Sequence, residues 1–151
     1  MLKRLCYTCL FESRDISVPV LVANEWKDAI QFIPPITQGR VIKVYDGDTI
    51  TVVSKLPYDA SPLYRFSVRL AGIDCAEIKG KTEKEKTLAQ EAKNALQLLI
   101  LHKIVALKNL KTEKYGRILA DVYIDELHVN KWLLDNNYAV KYLGGTKSNW
   151  V

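Results

Sequence analysis

The stretch RVIKVYDGDTITVV, residues 40–53, carries the clearest structural pattern in this sequence of 151 residues. Two runs rich in β-branched residues, 41–45 and 49–53, flank the tripeptide Asp46-Gly47-Asp48. Val, Ile and Thr favour extended backbone, and an Asp-Gly pair between two such runs is a strong signal for a tight hairpin turn. The segment therefore predicts two antiparallel strands joined at Asp46-Gly47-Asp48.

The alternation of apolar and polar residues continues downstream of this hairpin. Residues 64–73 alternate in the way expected of a third strand with one core face. A lysine-rich loop follows, and then a helix that begins between Thr82 and Thr87, because each of these residues opens a capping box. Two further strands are predicted at 104–107 and 118–124, and a short helix at 130–136 with Asn130 as its N-cap.

The region before the first strand is irregular. A short helix is predicted at residues 25–32, with Asn24 as its cap and Pro34-Pro35 ending it. We therefore divide the chain into an N-terminal extension or arm, residues 1–38, and a main domain, residues 39–151. The order of elements in the main domain predicts an α+β fold that is mainly β: a five-stranded OB-fold barrel with about three helices, plus the arm.

Composition limits the classes of function. The net charge of +5 favours polyanionic partners, either nucleic acid or an acidic membrane surface. The cysteines Cys6, Cys9 and Cys75 are too few for a disulfide framework, which indicates an intracellular, cytoplasmic protein with reduced thiols. We expect no secretory signal and no membrane span, because no apolar stretch approaches the ~20 residues required. A lipid anchor at Cys6 or Cys9, giving peripheral membrane association, is the alternative hypothesis for the N-terminus.

Acidic residues and arginines gather at the predicted strand ends. Two of the acids flank the glycine of the first hairpin, one arginine lies on the polar face of the third strand, and two more acids follow that strand. A second arginine precedes the last long strand. These residues are Asp46, Asp48, Arg69, Asp74, Glu77 and Arg117.

With these motifs the sequence resembles the staphylococcal nuclease (thermonuclease) family over about residues 40–142. An Asp-Gly-Asp turn alone is common, but four pieces in the same order and at compatible spacing are hard to obtain by chance. The four pieces are Tyr45-Asp46-Gly47-Asp48-Thr49, Val68-Arg69-Leu70-Ala71-Gly72-Ile73-Asp74-Cys75-Ala76-Glu77, Ala89-Gln90-Glu91-Ala92 and Lys114-Tyr115-Gly116-Arg117.

The resemblance implies a metal-dependent nuclease with an oxygen-ligand cation site. Asp48 and Asp74 match the two metal-binding carboxylates of the family, and a third ligand, a backbone carbonyl, falls at Cys75. The usual ion of the family is Ca²⁺, with Mg²⁺ or Mn²⁺ as weaker candidates.

The resemblance also assigns roles around the metal. Glu77 matches the carboxylate that orients or deprotonates the attacking water. Arg69 and Arg117 match the paired arginines that bind the phosphate, and their planar forks suit bidentate contact with it.

Four further residues take supporting roles in the same comparison. Asp46 and Thr49 match an acid and a hydroxyl beside the metal, while Tyr115 and Lys114 are candidates for contact with the substrate.

This chain departs from the family pattern at one place in these motifs. It has Cys75-Ala76 where the family commonly has Thr-Pro. Replacing Thr leaves a backbone-carbonyl ligand intact, but losing Pro loosens the loop that aims Glu77 and lowers the expected activity.

The resemblance thus implies a Ca²⁺-dependent nuclease that hydrolyses phosphodiester bonds of DNA or RNA, or both, with little sequence preference. The alternative hypothesis is a non-catalytic nucleic-acid-binding OB-fold module, which the basic charge and the tyrosines would also suit. The joint presence of Asp48, Asp74 and Glu77 favours catalysis, because carboxylates repel phosphate unless a cation lies between them. Nothing in the sequence points to an obligate protein partner.

Overall fold

The structure is a computed structural model that describes residues 25–113, 115–142 and 144. The chain divides into two units, residues 1–30 and 31–151. The described part of the first unit contains one 3-10 turn, Trp26–Asp28, in which the backbone N–H of Glu25 donates to Asp28 Oδ2 at 3.0 Å.

The helix predicted at residues 25–32 is therefore wrong. The turn ends at Asp28, and Ala29 is already extended, with φ of −124°. A helix of this length has little stability of its own, and Pro34 disfavours helical backbone at the residue before it. The predicted cap, Asn24, lies outside the described residues.

The second unit is built around a β-barrel. Its long strands are β1 (Gln38–Asp46), β2 (Thr49–Ser54), β3 (Tyr64–Leu70), β5 (Ile104–Thr112) and β6 (Ile118–Ile124). Its short strands are β4 (Ile73–Asp74), β7 (Leu127–His128) and β8 (Val140–Lys141). The helices are α1 (Glu83–Ile100) and α2 (Val129–Asp135).

The long strands close on themselves. They lie in the order β3-β2-β1-β5-β6, and β6 then pairs in parallel with β3, where Val68 lies opposite Ile118. The predicted five-stranded barrel is confirmed. Its interior is filled by aliphatic side chains that alternate along the strands, as the sequence pattern predicts: Val41, Val44, Ile50, Val52, Val68, Leu70, Val105, Leu107, Ala120 and Val122.

The predicted third strand, residues 64–73, is interrupted. A turn at Ala71-Gly72, with Gly72 at φ +75°, separates β3 from β4, and β4 pairs with β8. Glycine adopts this left-handed backbone without the steric penalty that a Cβ would add. Because the chain turns here, Asp74 at the end of β4 comes back against Arg69 on β3.

Helix α1 begins at the first of its two predicted positions. Thr82 is its N-cap, and Thr82 Oγ1 accepts a hydrogen bond from the backbone N–H of Glu85 at 3.1 Å. The helix packs against β1 with one apolar face, formed by Ala89, Ala92, Leu96 and Ile100. No helix in the described part of the chain is both long enough and apolar enough to cross a membrane.

The N-cap predicted for the last helix is wrong. Helix α2 begins at Val129 after His128, and Asn130 lies inside it with its side chain turned into the barrel, 2% exposed. Asn130 Oδ1 accepts from the backbone N–H of Val122 at 3.0 Å, while Asn130 Nδ2 donates to the carbonyls of Ala71 and Ala120 at 2.9 and 3.2 Å. The amide thereby ties α2 to β6 and to the turn after β3.

We expect Asn130→Leu to lower the free energy of unfolding by about 2–3 kcal/mol, because the backbone N–H of Val122 and the carbonyl of Ala71 lose their hydrogen bonds to the amide. Urea unfolding of the whole chain measures this effect. Asn94→Leu, at an exposed position of α1, is the matched control and should change the midpoint little. Equal stability of the two variants would contradict the bridging role of Asn130.

Candidate active site

The turn between β1 and β2 places two acids at one end of the barrel. Its glycine, Gly47, packs so closely that an added Cβ would lie 2.9 Å from the Cβ atoms of Ala92 and Cys75. Only glycine fits there without displacing its neighbours, and the turn is thereby held against α1. Asp48, 3% exposed, accepts a hydrogen bond at Oδ1 from the hydroxyl of Thr49 at 2.8 Å.

Arg69 on β3 joins this turn to β4. Its Nη1 lies 2.6 Å from Asp48 Oδ2, and its Nη2 lies 2.8 Å from Asp74 Oδ1. Arg69 is 8% exposed and Asp74 1%, so the three side chains form a buried ionic cluster. Burial lowers the pKa of Arg69, but the charges of Asp48 and Asp74 raise it by more, and the guanidinium stays protonated.

The cluster carries more negative than positive charge. Asp46 adds a third carboxylate, and its Oδ1 is buried without a hydrogen-bond partner among the described residues. Burial raises the pKa of Asp48 to about 6; Arg69 opposes this shift, and the neighbouring charge of Asp46 adds to it. One guanidinium does not fully compensate the carboxylates, so an additional cation would be stabilised here.

The segment after β4 differs in burial along its length. Cys75 and Ala76 are buried, whereas Glu77 is exposed, and the backbone N–H of Gly80 donates to the carbonyl of Glu77 at 2.8 Å. Burial raises the pKa of the Cys75 thiol far above its usual range, and the charges of Asp48 and Asp46 add to the shift. A thiol buried in this way resists ionisation at neutral pH when no metal ion is bound.

The second arginine is held by an acid that the sequence analysis did not single out. Arg117 Nε donates to Glu113 Oε2 at 2.6 Å, across a turn that Gly116 makes with φ of +79°. The backbone of Glu113 also bonds to that of Gly116 and Arg117. In the sequence, this ion pair could have been predicted from the four-residue spacing of Glu113 and Arg117 across a turn that contains glycine.

One pocket of about 730 Å³ brings most of the predicted residues together. Asp74 and Thr49 lie behind its wall, bonded to Arg69 and Asp48 respectively. Lys114 lies outside the described residues. The predicted residues that line the pocket are Asp46, Asp48, Arg69, Cys75, Glu77, Tyr115 and Arg117. Lining residues that were not predicted as site residues include Lys43, Tyr45, Lys93, Glu113 and Tyr142.

The oxygen atoms around Asp48 bear on whether this site suits a divalent cation. Among the described residues, no three Asp, Glu, His or Cys side chains converge as a metal-binding group. The predicted set has two carboxylates and a backbone carbonyl, and it does not require a third side chain. The orphaned Asp46 oxygen and the neighbouring buried carboxylate of Asp48 fit a hard cation with oxygen ligands.

Several curated proteins are similar in sequence. An uncharacterized endonuclease of Haemophilus influenzae is 32% identical over 103 residues, covering 68% of this chain and 51% of that protein. An uncharacterized endonuclease of Escherichia coli is 32% identical over 105 residues, 69% of this chain and 60% of that protein. A probable endonuclease of Schizosaccharomyces pombe is 34% identical over 99 residues, 56% of this chain and 43% of that protein.

The chain thus spans about half the length of the curated relatives it matches. A family model described as staphylococcal nuclease homologue matches residues 67–149, a range that contains Arg69, Asp74, Glu77 and Arg117. With more than half of its residues in that match and a barrel of the expected topology, this chain belongs to the family of staphylococcal nuclease homologues.

Proposed function

We propose that this protein is a divalent-cation-dependent nuclease that hydrolyses phosphodiester bonds of DNA or RNA with little sequence preference. One observation carries the proposal: the buried Asp48–Arg69–Asp74 cluster, Glu77 and Arg117 converge on one end of the barrel. Membership of the nuclease family and the names of the relatives support it. The domain that acts is the one we assign to residues 39–151.

The proposed cation is Ca²⁺, held by the carboxylates of Asp48 and Asp74 and by the backbone carbonyl of Cys75. When bound, it supplies Lewis-acid stabilisation for the negative charge that develops on the phosphate. Thr49 fixes the orientation of Asp48 through its hydroxyl bond, and Asp46 adds negative charge that favours a cation over an empty site.

Glu77 is the proposed general base. It follows the cluster directly in the chain and is exposed at the pocket, so its carboxylate can accept a proton from a water molecule that attacks the phosphate. The guanidinium groups of Arg117 and Arg69 are proposed to bind the phosphate oxygens. Arg117 is bonded to Glu113 through Nε, which orients its fork.

Substrate contacts are proposed at the pocket rim. Tyr115 is exposed there, on the turn that precedes Arg117, and its ring can contact a nucleotide. Lys114, which precedes Tyr115 in the sequence, is proposed as a phosphate contact. Contacts with phosphates and with the faces of bases do not read base edges, which is why we expect weak sequence preference.

The test is to incubate the purified chain with single- and double-stranded DNA and RNA in Ca²⁺, Mg²⁺, Mn²⁺ or chelator. We expect cleavage with Ca²⁺ and none with chelator. Binding without cleavage in every ion would contradict the proposal and favour the non-catalytic OB-fold module.

Asp48→Asn should raise the Ca²⁺ concentration needed for half-maximal cleavage about tenfold or more, because it removes a charged oxygen ligand. Asp59→Asn, at an exposed position outside the pocket, is the matched control. A calcium titration of initial cleavage rates measures both variants. An unchanged calcium requirement in Asp48→Asn would exclude Asp48 as a ligand.

A further inference from the structure

Strand β1 contains two β-bulges, and the second lies at the pocket. Val44 pairs with Ile50 and Asp46 pairs with Thr49, so Tyr45 is an extra residue without a partner on β2. A bulge bends the strand and re-aims the side chain of the extra residue. Tyr45 accordingly lines the pocket, 55% exposed, immediately before the acids of the turn.

The ring of Tyr45 is held by a neighbouring lysine. Lys43 Nζ lies 5.6 Å from the centroid of the Tyr45 ring, within the range of a cation–π interaction. Lys43 lies two residues before Tyr45 and lines the same pocket. This contact restricts an otherwise exposed aromatic side chain to the pocket, which lowers the entropy lost when a ligand stacks on it.

A second lysine reaches the pocket from α1. Lys93 is half-buried and lines the pocket together with Asp48 and Glu77, and its side chain makes no hydrogen bond or ion pair with another described residue. Lys93 thereby adds a positive charge to the lining of the pocket. Neither Lys93 nor the Lys43–Tyr45 pair has a part in the phosphodiester chemistry described above.

The pocket is larger than the scissile phosphate requires. Its volume of about 730 Å³ lies within the range of roughly 300–1,000 Å³ found for sites that hold whole small molecules. A phosphate with one flanking nucleotide fits such a volume. The β1 and α1 side of the pocket then offers that nucleotide an aromatic face and a positive charge.

We infer that Tyr45, Lys43 and Lys93 form a nucleotide subsite beside the scissile phosphate. Tyr45 stacks on the base of the flanking nucleotide, Lys43 holds the ring of Tyr45 in place, and Lys93 contacts the phosphate of that nucleotide. The subsite takes a nucleotide whose base is unpaired, because a base inside a duplex has no free face for stacking. The inference rests on the proposed nuclease function.

The test uses a single-stranded oligonucleotide with one cleavable phosphodiester, and variants of it with an abasic residue on either side of that bond. We expect Tyr45→Leu to raise KM about tenfold with little change in kcat, and Tyr45→Trp to retain a low KM. Tyr58→Leu, at an exposed position outside the pocket, is the control. One abasic position should raise KM for the natural chain and have no further effect on Tyr45→Leu.

The lysine contact has its own readout. Lys93→Gln should raise KM and reduce the slope of log KM against log salt by about 0.7, the value for one phosphate contact on a single strand. Lys131→Gln, which lies outside the pocket, should leave the slope unchanged. An unchanged slope in Lys93→Gln would overturn the phosphate contact.

The failure of this inference is distinguishable from failure of the proposed function. If the natural chain cleaves but Tyr45→Leu has an unchanged KM, or shows the same abasic penalty, the subsite is overturned and the nuclease stands. If no ion supports cleavage, the same variants and oligonucleotides are compared by fluorescence anisotropy. Equal Kd values for the natural chain and Tyr45→Leu would then overturn the subsite as well.

Discussion

Glu77→Gln is expected to lower kcat by a factor of about 10²–10⁴ and to leave KM nearly unchanged. The amide has the shape of the carboxylate but cannot take a proton from the attacking water. Glu77 is exposed and glutamine has nearly the same size, so the urea midpoint should change little. Steady-state cleavage of a single-stranded oligonucleotide at saturating calcium gives both constants.

The matched control for this prediction is Glu126→Gln, an exposed glutamate in the turn before β7 that does not line the pocket. It makes the same change of charge and should leave kcat unchanged. A loss of less than about threefold in Glu77→Gln, well below the range for general-base catalysis, would remove the proton-transfer role. A rise in KM with unchanged kcat would instead assign Glu77 to substrate binding.

The barrel could be predicted from the sequence because its signals are local and repeated. The β-branched runs around Asp46-Gly47-Asp48 specify a hairpin, and the alternation in residues 64–70 specifies a core face. The helix predicted at 25–32 is wrong because capping and stop signals alone do not stabilise a short helix. The 3-10 turn found there has no buried residue to add stabilising contacts. Asn130 was predicted to be an N-cap because asparagine is common at that position. Its side chain is instead buried, because it bonds to backbone groups of β6 and of the turn after β3, which are distant in the sequence.

The candidate site could be predicted only in part, for a similar reason. Charged residues at strand ends identified Asp48, Arg69 and Asp74, but no sequence rule placed the guanidinium of Arg69 between the two carboxylates. Tyr45 appears in sequence as one more strand residue, because a bulge shows itself only through the register with β2. Lys93 is one of many helix lysines until α1 is packed against β1.

The position of Arg69 affects stability as well as phosphate binding. Its guanidinium bonds to both carboxylates that we propose as cation ligands, at 2.6 and 2.8 Å, and all three side chains are largely buried. In the absence of a cation, Arg69 is the counter-charge that permits Asp48 and Asp74 to be buried. A bound cation would share this task, which frees the guanidinium to bind a phosphate oxygen.

Arg69→Met is therefore expected to lower the free energy of unfolding by about 3–5 kcal/mol in chelator, since it leaves two buried carboxylates without their counter-charge. Arg65→Met, at an exposed position of the same strand, should stay within about 0.5 kcal/mol of the natural chain. Urea unfolding of both variants measures the difference. Equal stability of the two variants would mean that Asp48 and Asp74 do not need the positive charge of Arg69 in order to be buried.

Calcium separates the two roles of Arg69. If Asp48 and Asp74 are the cation ligands, saturating Ca²⁺ should stabilise Arg69→Met by more than it stabilises the natural chain. In Arg69→Met the ion replaces the missing positive charge, whereas in the natural chain it competes with Arg69 for the same carboxylates. Adding Asp48→Asn to Arg69→Met should recover stability in chelator and remove most of the calcium effect. Equal stabilisation of all three proteins by calcium would place the ion elsewhere and leave Arg69 as a structural cation alone.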